Sequence, residues 1–161
     1  TIVNIDETDL NNDEEIQKEV SSVVDSKLSG SMVMCALLEE ELSKLSFGDA
    51  TELRTGLNME TSGLENIIKL TYSVLGLVSF ITVGNDEVRA WTVSNGTPAQ
   101  EAARVVHSDI AKGFIRAEVV SYKDFICEGS MAKIRDKGLL RKEGKDYLVK
   151  DGDIVNYLFS I

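Results

Sequence analysis

The chain has 161 residues, with 17 Lys and Arg against 27 Asp and Glu and a formal net charge of −10, which argues against a generic basic nucleic-acid binder. Hydrophobic residues make up 43% and charged residues 27%, with a single Pro, a composition that fits a globular protein and neither a disordered chain nor a disulfide scaffold. The longest nearly apolar stretch, 72–83, is broken by Ser73, Gly76, Ser79 and Thr82 and falls short of the roughly 20 residues that cross a bilayer.

The N-terminus has no basic and apolar signal segment, and Cys35 and Cys127 form neither a disulfide pattern nor a metal-spaced pair. A reducing, cytoplasmic setting is therefore expected, with neither a membrane nor DNA as partner. The acid is unevenly placed. Residues 1–70 hold 15 acidic and 5 basic side chains, whereas residues 71–161 hold 12 of each. That shift predicts a domain boundary near residues 70–76.

In chain order, Thr1–Ile5 reads as a strand of β-branched residues; a buried strand at the first residue, with no initiator Met, suggests a piece of something larger. A polar loop over 6–12 leads to a helix over about 14–28, with Ile16, Val20, Val23, Val24 and Leu28 on one face and Gly30 as its stop. Met32–Ala36 reads as a second strand, followed by a helix over 38–45. The order strand, helix, strand, helix predicts parallel pairing in an α/β sheet. Two more helices are expected over 51–57 and 64–75.

The texture then changes. Strands over 78–83 and 88–93, joined by Gly84-Asn85-Asp86-Glu87, predict a hairpin. Thr97 as N-cap, Pro98 at the first helical position and Gln100 at the third predict a capping box, starting a helix that buries Ala102, Ala103, Val106 and Ile110 and stops at Gly113. Strands are expected over 115–120, 147–150 and 154–159, with a turn at 150–153. Hairpin, crossing helix and further strands describe a β-grasp module.

Gly96-Thr97-Pro98, Val106-His107, Asp109-Ile110 and Gly113-Phe114 resemble the pattern of TGS domains. Val88-Arg89-Ala90-Trp91-Thr92-Val93, Lys112-Gly113-Phe114-Ile115-Arg116-Ala117-Glu118 and Gly144-Lys145-Asp146-Tyr147 through Asp153 are closer still in wording to the C-terminal domain of the Obg-like ATPase (YchF) family, over essentially all of residues 76–161. The first half agrees with the same resemblance. That family replaces the guanine-reading Asn-Lys-x-Asp with Asn-x-x-Glu at a strand end, and this chain has Asn4-Ile5-Asp6-Glu7 there. Met34-Cys35-Ala36-Leu37-Leu38-Glu39 stands where the turn against the base is expected, with Cys35 at a position normally Ser or Ala.

The resemblance implies an α/β chain in two parts: residues 1–75 as the end of a P-loop nucleotide-binding domain, and 76–161 as a β-grasp TGS domain. It implies ATP as ligand, with Asn4, Ile5, Glu7, Cys35, Ala36 and Leu37 at the base, and the ribosome or translation machinery as partner. An Asn side chain offers an acceptor and a donor to the N6/N7 edge of adenine. Glu7 is a longer carboxylate than the Asp that accepts from guanine, so adenine is not disfavoured. No Gly-x-x-x-x-Gly-Lys-Ser/Thr and no Asp-x-x-Gly occurs, so the phosphate cradle and the Mg²⁺ ligands are expected only in an intact protein, and this chain by itself is not expected to turn over ATP.

Several residues admit plainer readings. On spacing alone Asn4 is an ordinary strand-end Asn and Glu7 a solvated acid. His107 reads as a capping residue, Trp91 and Phe114 as core aromatics, and Cys35 and Cys127 as buried small residues. The cations Lys112, Arg116, Lys133, Arg135, Lys137, Arg141, Lys142 and Lys145 read as a ribosome-facing surface or, at least as readily, as a solvated face interspersed with acids. The rival to the ATPase reading is a free-standing β-grasp module that binds RNA or protein without nucleotide chemistry.

Overall fold

A computed structural model describes residues 1–26, 29–59, 61–84 and 87–160. The chain divides between Leu75 and Gly76 into two compact units.

In the first unit, strands β1 (Ile2–Asn4) and β2 (Met32–Met34) pair in parallel, with Val3 beside Val33, as the alternating order predicts. A short 3-10 helix (Glu7–Asn12) runs directly into helix α1 (Asp13–Val24), and α2 (Ala36–Ser43), α3 (Phe47–Gly56) and α4 (Gly63–Leu75) follow β2. Helix α1 is shorter than its apolar spacing suggests. Asp25 turns extended and Ser26 bridges Ser29, so the helix stops before Gly30; Leu28, placed on its face by sequence, lies outside the described residues. The helix read over 51–57 begins earlier, because the Ser46 hydroxyl accepts the Asp49 amide and caps α3.

The two edges of this small sheet differ. In a parallel pair alternate amides face away from the partner strand, and the outward Val33 amide of β2 is accepted by the Gln17 side chain of α1 at 2.8 Å. Gln17 also donates to Ser21 Oγ at 2.7 Å. The outer edge of β2 is thus closed by a side chain, whereas β1 buries none of its residues.

The second unit carries strands β3 (Leu77–Val83), β4 (Val88–Ser94), β5 (Phe114–Ser121), β6 (Arg141–Glu143) and β7 (Asp153–Phe159) in the order β4-β3-β7-β5-β6. The predicted hairpin is β3–β4, with Phe80 opposite Trp91; the Asn85-Asp86 tip of its turn lies outside the described residues. The last strand inserts between β3, its parallel neighbour, and β5, its antiparallel one. One sheet face packs Phe80, Val119 and Val155 against Ala99, Ala102 and Ala103, and Phe80 meets Tyr157 edge to face at 6.3 Å. Complete burial of Phe80 contributes about 1.5–3 kcal/mol.

Four local expectations are corrected here. The helix read through to residue 112 is two, α5 (Ala99–Val106) and α6 (Ser108–Lys112), because His107 is extended and its Nδ1 accepts the Asp109 amide at 3.2 Å, capping α6. The capping box at Thr97 does not form. The Thr97 hydroxyl donates to the Ser94 carbonyl, and the first amides of α5 are taken by backbone carbonyls, Ala99 by Tyr147 at 2.7 Å and Gln100 by Lys145 at 3.2 Å. The same bonds explain the third: 147–150 is no sheet strand, because its backbone serves the start of α5, with Val149 donating to Thr97. In its place β6 pairs with β5. Finally, two unforeseen helices, α7 (Tyr122–Glu128) and α8 (Met131–Asp136), are capped by Ser121 and Ser130, and they leave Cys127 exposed rather than buried.

Candidate functional site

The site is built where β1 and β2 end side by side. Beyond Asn4 the Ile5 amide donates to the Met34 carbonyl at 3.0 Å, which holds the strand-end loop against β2 for one residue more. Asp6 then starts the 3-10 helix, accepting from the Thr8 amide at 3.0 Å and the Thr8 hydroxyl at 2.9 Å. Those bonds hold the Asp6 carboxyl below its ordinary range. Glu7 opens the 3-10 helix with its side chain exposed and no hydrogen-bond partner among the described residues.

On the neighbouring strand Cys35 is 3% exposed and occupies the cap position of α2 without a side-chain bond. The next amide, Ala36, donates to Asn4 Oδ1 at 2.9 Å. Two stretches that the family resemblance singled out are thus joined by one hydrogen bond across 32 positions of sequence, with Asn4, Ala36 and Leu37 exposed around it and Cys35 beneath. One Oδ1 lone pair is used structurally. What Asn4 offers outward is chiefly its Nδ2 donor.

Beside this junction lies a cavity of about 570 Å³ lined by Ile5, Leu10, Met34, Cys35, Glu39 and Asn66, among others. Glu39, in its lining, belongs to an ion pair that the sequence did not reveal: Arg54 Nη2 meets Glu39 Oε2 at 2.9 Å, with the two side chains 19% and 13% exposed. Glu39 Oε1 and Arg54 Nε are buried with no hydrogen-bond partner among the described residues. Such a pair is costly to break, since the survivor would be a buried charge. Gly63 lets α4 approach at this point, because a Cβ there would lie 2.9 Å from Met34 Cε. Of the residues expected at the base, Ile5 and Cys35 line this cavity, whereas Asn4, Glu7, Ala36 and Leu37 stand outside its lining; the lining residues Ile5, Leu10 and Met34 offer apolar contacts of the kind an aromatic base takes. They do not supply a metal centre, since no group of three or more His, Cys, Asp or Glu is gathered for one among the described residues.

In the second unit a different cluster pins the loop before β7. Asp153, 2% exposed, accepts from Tyr147 Oη at 2.7 Å, the Lys150 amide at 2.9 Å and Arg141 Nη2 at 3.3 Å. Burial, then the bond to Asp153, pushes the Tyr147 hydroxyl up to about 12. Trp91 and Phe114 pack against the core as their composition suggested, and Arg89 covers the Trp91 ring at 4.2 Å.

Comparison with known proteins places this architecture. The family YchF-GTPase_C, described as "Protein of unknown function (DUF933)", matches residues 77–160. The ribosome-binding ATPase YchF of Bacillus subtilis (strain 168) is 42% identical over 130 residues, covering 81% of this chain and 36% of the relative. That of Pasteurella multocida (strain Pm70) is 36% identical over 160 residues, covering 99% and 44%. Among solved structures, the Schizosaccharomyces pombe YchF GTPase superposes with a TM-score of 0.78 at 32% identity, over 98% of this chain and 42% of that one. A GTP binding protein from Pyrococcus horikoshii OT3 shares the fold, with a TM-score of 0.60 at 17% identity over 99% and 45%. The chain spans less than half the length of these relatives. With a family match over the whole second unit and relatives aligned through the Asn4–Ala36 junction as well, the chain belongs to the YchF family.

Proposed function

We propose that this chain is part of a ribosome-associated ATPase of the cytoplasm, in which the first unit supplies the base-binding edge of the ATP site and the second is its TGS domain. The observation that carries the nucleotide reading is the 2.9 Å bond from the Ala36 amide to Asn4 Oδ1. It sets the Asn-x-x-Glu segment beside the Cys35-Ala36-Leu37 turn, next to a cavity that Ile5 and Cys35 line. The edge asymmetry supports the rest: Gln17 closes the outer side of β2, so the sheet of a complete nucleotide-binding domain continues beyond β1. The phosphate cradle and the Mg²⁺ ligands then come from outside these 161 residues. When bound, the magnesium nucleotide supplies the phosphoanhydride to be hydrolysed, and the residues here orient its base.

Asn4 Nδ2 donates to N7, an acceptor in adenine and guanine alike, so Asn4 gives affinity and Glu7 bears on base choice. Relatives of this chain carry the names ATPase and GTPase, and the carboxylate at residue 7 is where the two chemistries part. Calorimetry of ATP and GTP on the longer protein containing this chain tests the reading. Glu7→Asp is expected to raise GTP affinity relative to ATP; an unchanged ratio removes Glu7 from the base site. Absence of nucleotide binding by the longer protein removes the reading altogether.

A further inference from the structure

The turn that carries the chain from β4 into α5 is built on Asn95-Gly96, the one place in the sequence where Gly follows Asn. The Ser94 carbonyl accepts the Thr97 amide at 3.1 Å and the Thr97 hydroxyl at 2.7 Å. Gly96 completes the reversal at φ 85°, a left-handed conformation open to Gly without steric cost. Both residues of the tip are exposed, and a Cβ built on Gly96 would meet nothing within 4 Å. The Asn95 amide donates to the Gly76 carbonyl at 2.7 Å, whereas the Asn95 carboxamide and the Gly96 amide make no hydrogen bond among the described residues.

At the related pair Asp151-Gly152 both corresponding groups are engaged. Asp151 Oδ1 accepts the Ser79 amide at 2.8 Å, and the Gly152 amide donates to the Ser79 carbonyl at 2.8 Å, so β3 holds the side chain and the following nitrogen in place. No such anchor holds the Asn95 carboxamide and the Gly96 nitrogen. An Asn side chain places its carbonyl carbon where closure by the next main-chain nitrogen gives a five-membered ring, and Gly presents that nitrogen with no side chain beyond it.

We propose that Asn95-Gly96 is a self-modification site. The Gly96 nitrogen attacks Asn95 Cγ, the Cγ–Nδ2 bond breaks, and ammonia leaves with the proton that the nitrogen gives up. Water then opens the resulting succinimide. Opening at one carbonyl leaves Asp at residue 95; opening at the other runs the main chain through the side-chain carbon and leaves isoaspartate. Water is the only co-reactant, and no electron is transferred. The isoaspartyl product carries its free carboxylate on the α-carbon, the group that an isoaspartyl carboxyl methyltransferase takes as substrate. Each product adds a negative charge, but only isoaspartate adds a methylene to the main chain. That extra length enters a clasp, in which the Thr97 carbonyl accepts the Val149 amide at 3.1 Å and the Ala99 amide donates to the Tyr147 carbonyl at 2.7 Å. The first amides of α5 therefore lose protection in the isoaspartyl form and keep it in the aspartyl form.

The test ages the 161-residue chain at neutral pH and physiological temperature, beside a sample held in urea and the variant Asn95→Gln, whose longer side chain cannot close the five-membered ring. Trypsin releases residues 90–104 by cutting after Arg89 and Arg104, and fragmentation locates any change within that peptide. The folded chain is expected to gain about one dalton at residue 95 with time, in two chromatographic species. One of them is expected to accept a labelled methyl group from S-adenosylmethionine and isoaspartyl methyltransferase. Asn95→Gln is expected to show no gain at residue 95. The proposal is overturned if the folded chain keeps its mass there over the time in which the urea sample gains, or if other Asn residues of the folded chain change as fast as Asn95. Asn95→Asp, made by mutation, supplies the charge without the methylene. Amide exchange at Ala99 and Gln100 is expected to be faster in the isoaspartyl species than in this variant; equal exchange overturns the loosening of α5.

Discussion

Gln17 and Val33 are joined across 16 positions of sequence by a single 2.8 Å bond in which a helix side chain takes the place of a neighbouring strand. The outer edge of β2 is finished rather than open, and an open strand edge is a template for unwanted pairing. Replacing Gln17 by Ala leaves the Val33 amide without its acceptor, and an unsatisfied buried donor costs about 1–3 kcal/mol. The expected result is faster hydrogen exchange at the Val33 amide and a first unit destabilised by that amount, with exchange in β5 and β7 unchanged.

Asn4 holds the Ala36 amide inward and is proposed above to donate outward to a base, and two substitutions separate the two. Asn4→Asp keeps an oxygen for the Ala36 amide and removes the Nδ2 donor. In the longer protein containing this chain it is expected to fold normally and lose affinity for ATP and GTP alike, by about 1–3 kcal/mol or roughly five- to 150-fold. Asn4→Ala is expected to show the same nucleotide loss and a lower thermal midpoint besides. Calorimetry with both nucleotides checks the first effect and a thermal melt the second; an Asn4→Asp protein with wild-type ATP affinity would falsify the outward role.

Gly113 tests the closing of the second unit. Its φ is not positive, so a side chain there meets no backbone strain, yet a Cβ would lie 2.0 Å from the Ser160 carbonyl oxygen. That contact is with backbone, pinned by the Ser160 amide donating to Gly113 at 2.9 Å. Gly113→Ala is expected to cost about 1–3 kcal/mol and, at about 4–8 °C per kcal/mol for a domain of this size, to lower the second unit's melting temperature measurably by Trp91 fluorescence.

Alkali is expected to open the second unit. Burial raises the hydroxyls of Tyr147, to about 12, and of Tyr157 from an ordinary value of 10.0. A group whose folded value is raised contributes stability that is complete below the unfolded value and lost as pH climbs through the folded one. Stability should therefore hold up to about pH 10 and fall between there and about 12. Tyrosinate absorbance at 295 nm, followed together with circular dichroism, should show these two phenols ionising as the sheet melts. Complete tyrosine ionisation with native dichroism intact would contradict this.

Where local sequence and tertiary demand agree, the fold was legible. The β3–β4 hairpin and the parallel β1–β2 pair follow from alternation and element order because nothing distant competes for their backbones. Residues 147–150 are as β-branched and aromatic as a strand, but the Tyr147 and Lys145 carbonyls are claimed by the Ala99 and Gln100 amides that open α5, partnerships too far apart in sequence for any local window to contain. Helices α7 and α8 are too short for a periodic stripe. Their caps, Ser121 with Asp124 and Ser130 with Lys133, were the signals to follow. At the site, Asn4 and Cys35-Ala36-Leu37 stood out by pattern, whereas Gln17 and the Glu39–Arg54 pair did not. Gln17 sits in an i, i+4 polar pair with Ser21 beside the apolar stripe, which reads as solvent-facing until β2 is laid against it.

The two thiols are unequally placed, one in each unit: Cys127 is exposed and Cys35 is sealed beneath the Asn4–Ala36 bond. A thiol reagent would consume the first at once and reach the second only when the first unit breathes open. The lag between the two labelling events is thus a chemical clock for local opening at the Asn4–Ala36 junction. A nucleotide bound there, as proposed above, would slow the clock without touching the cysteine, reporting occupancy through sulfur chemistry.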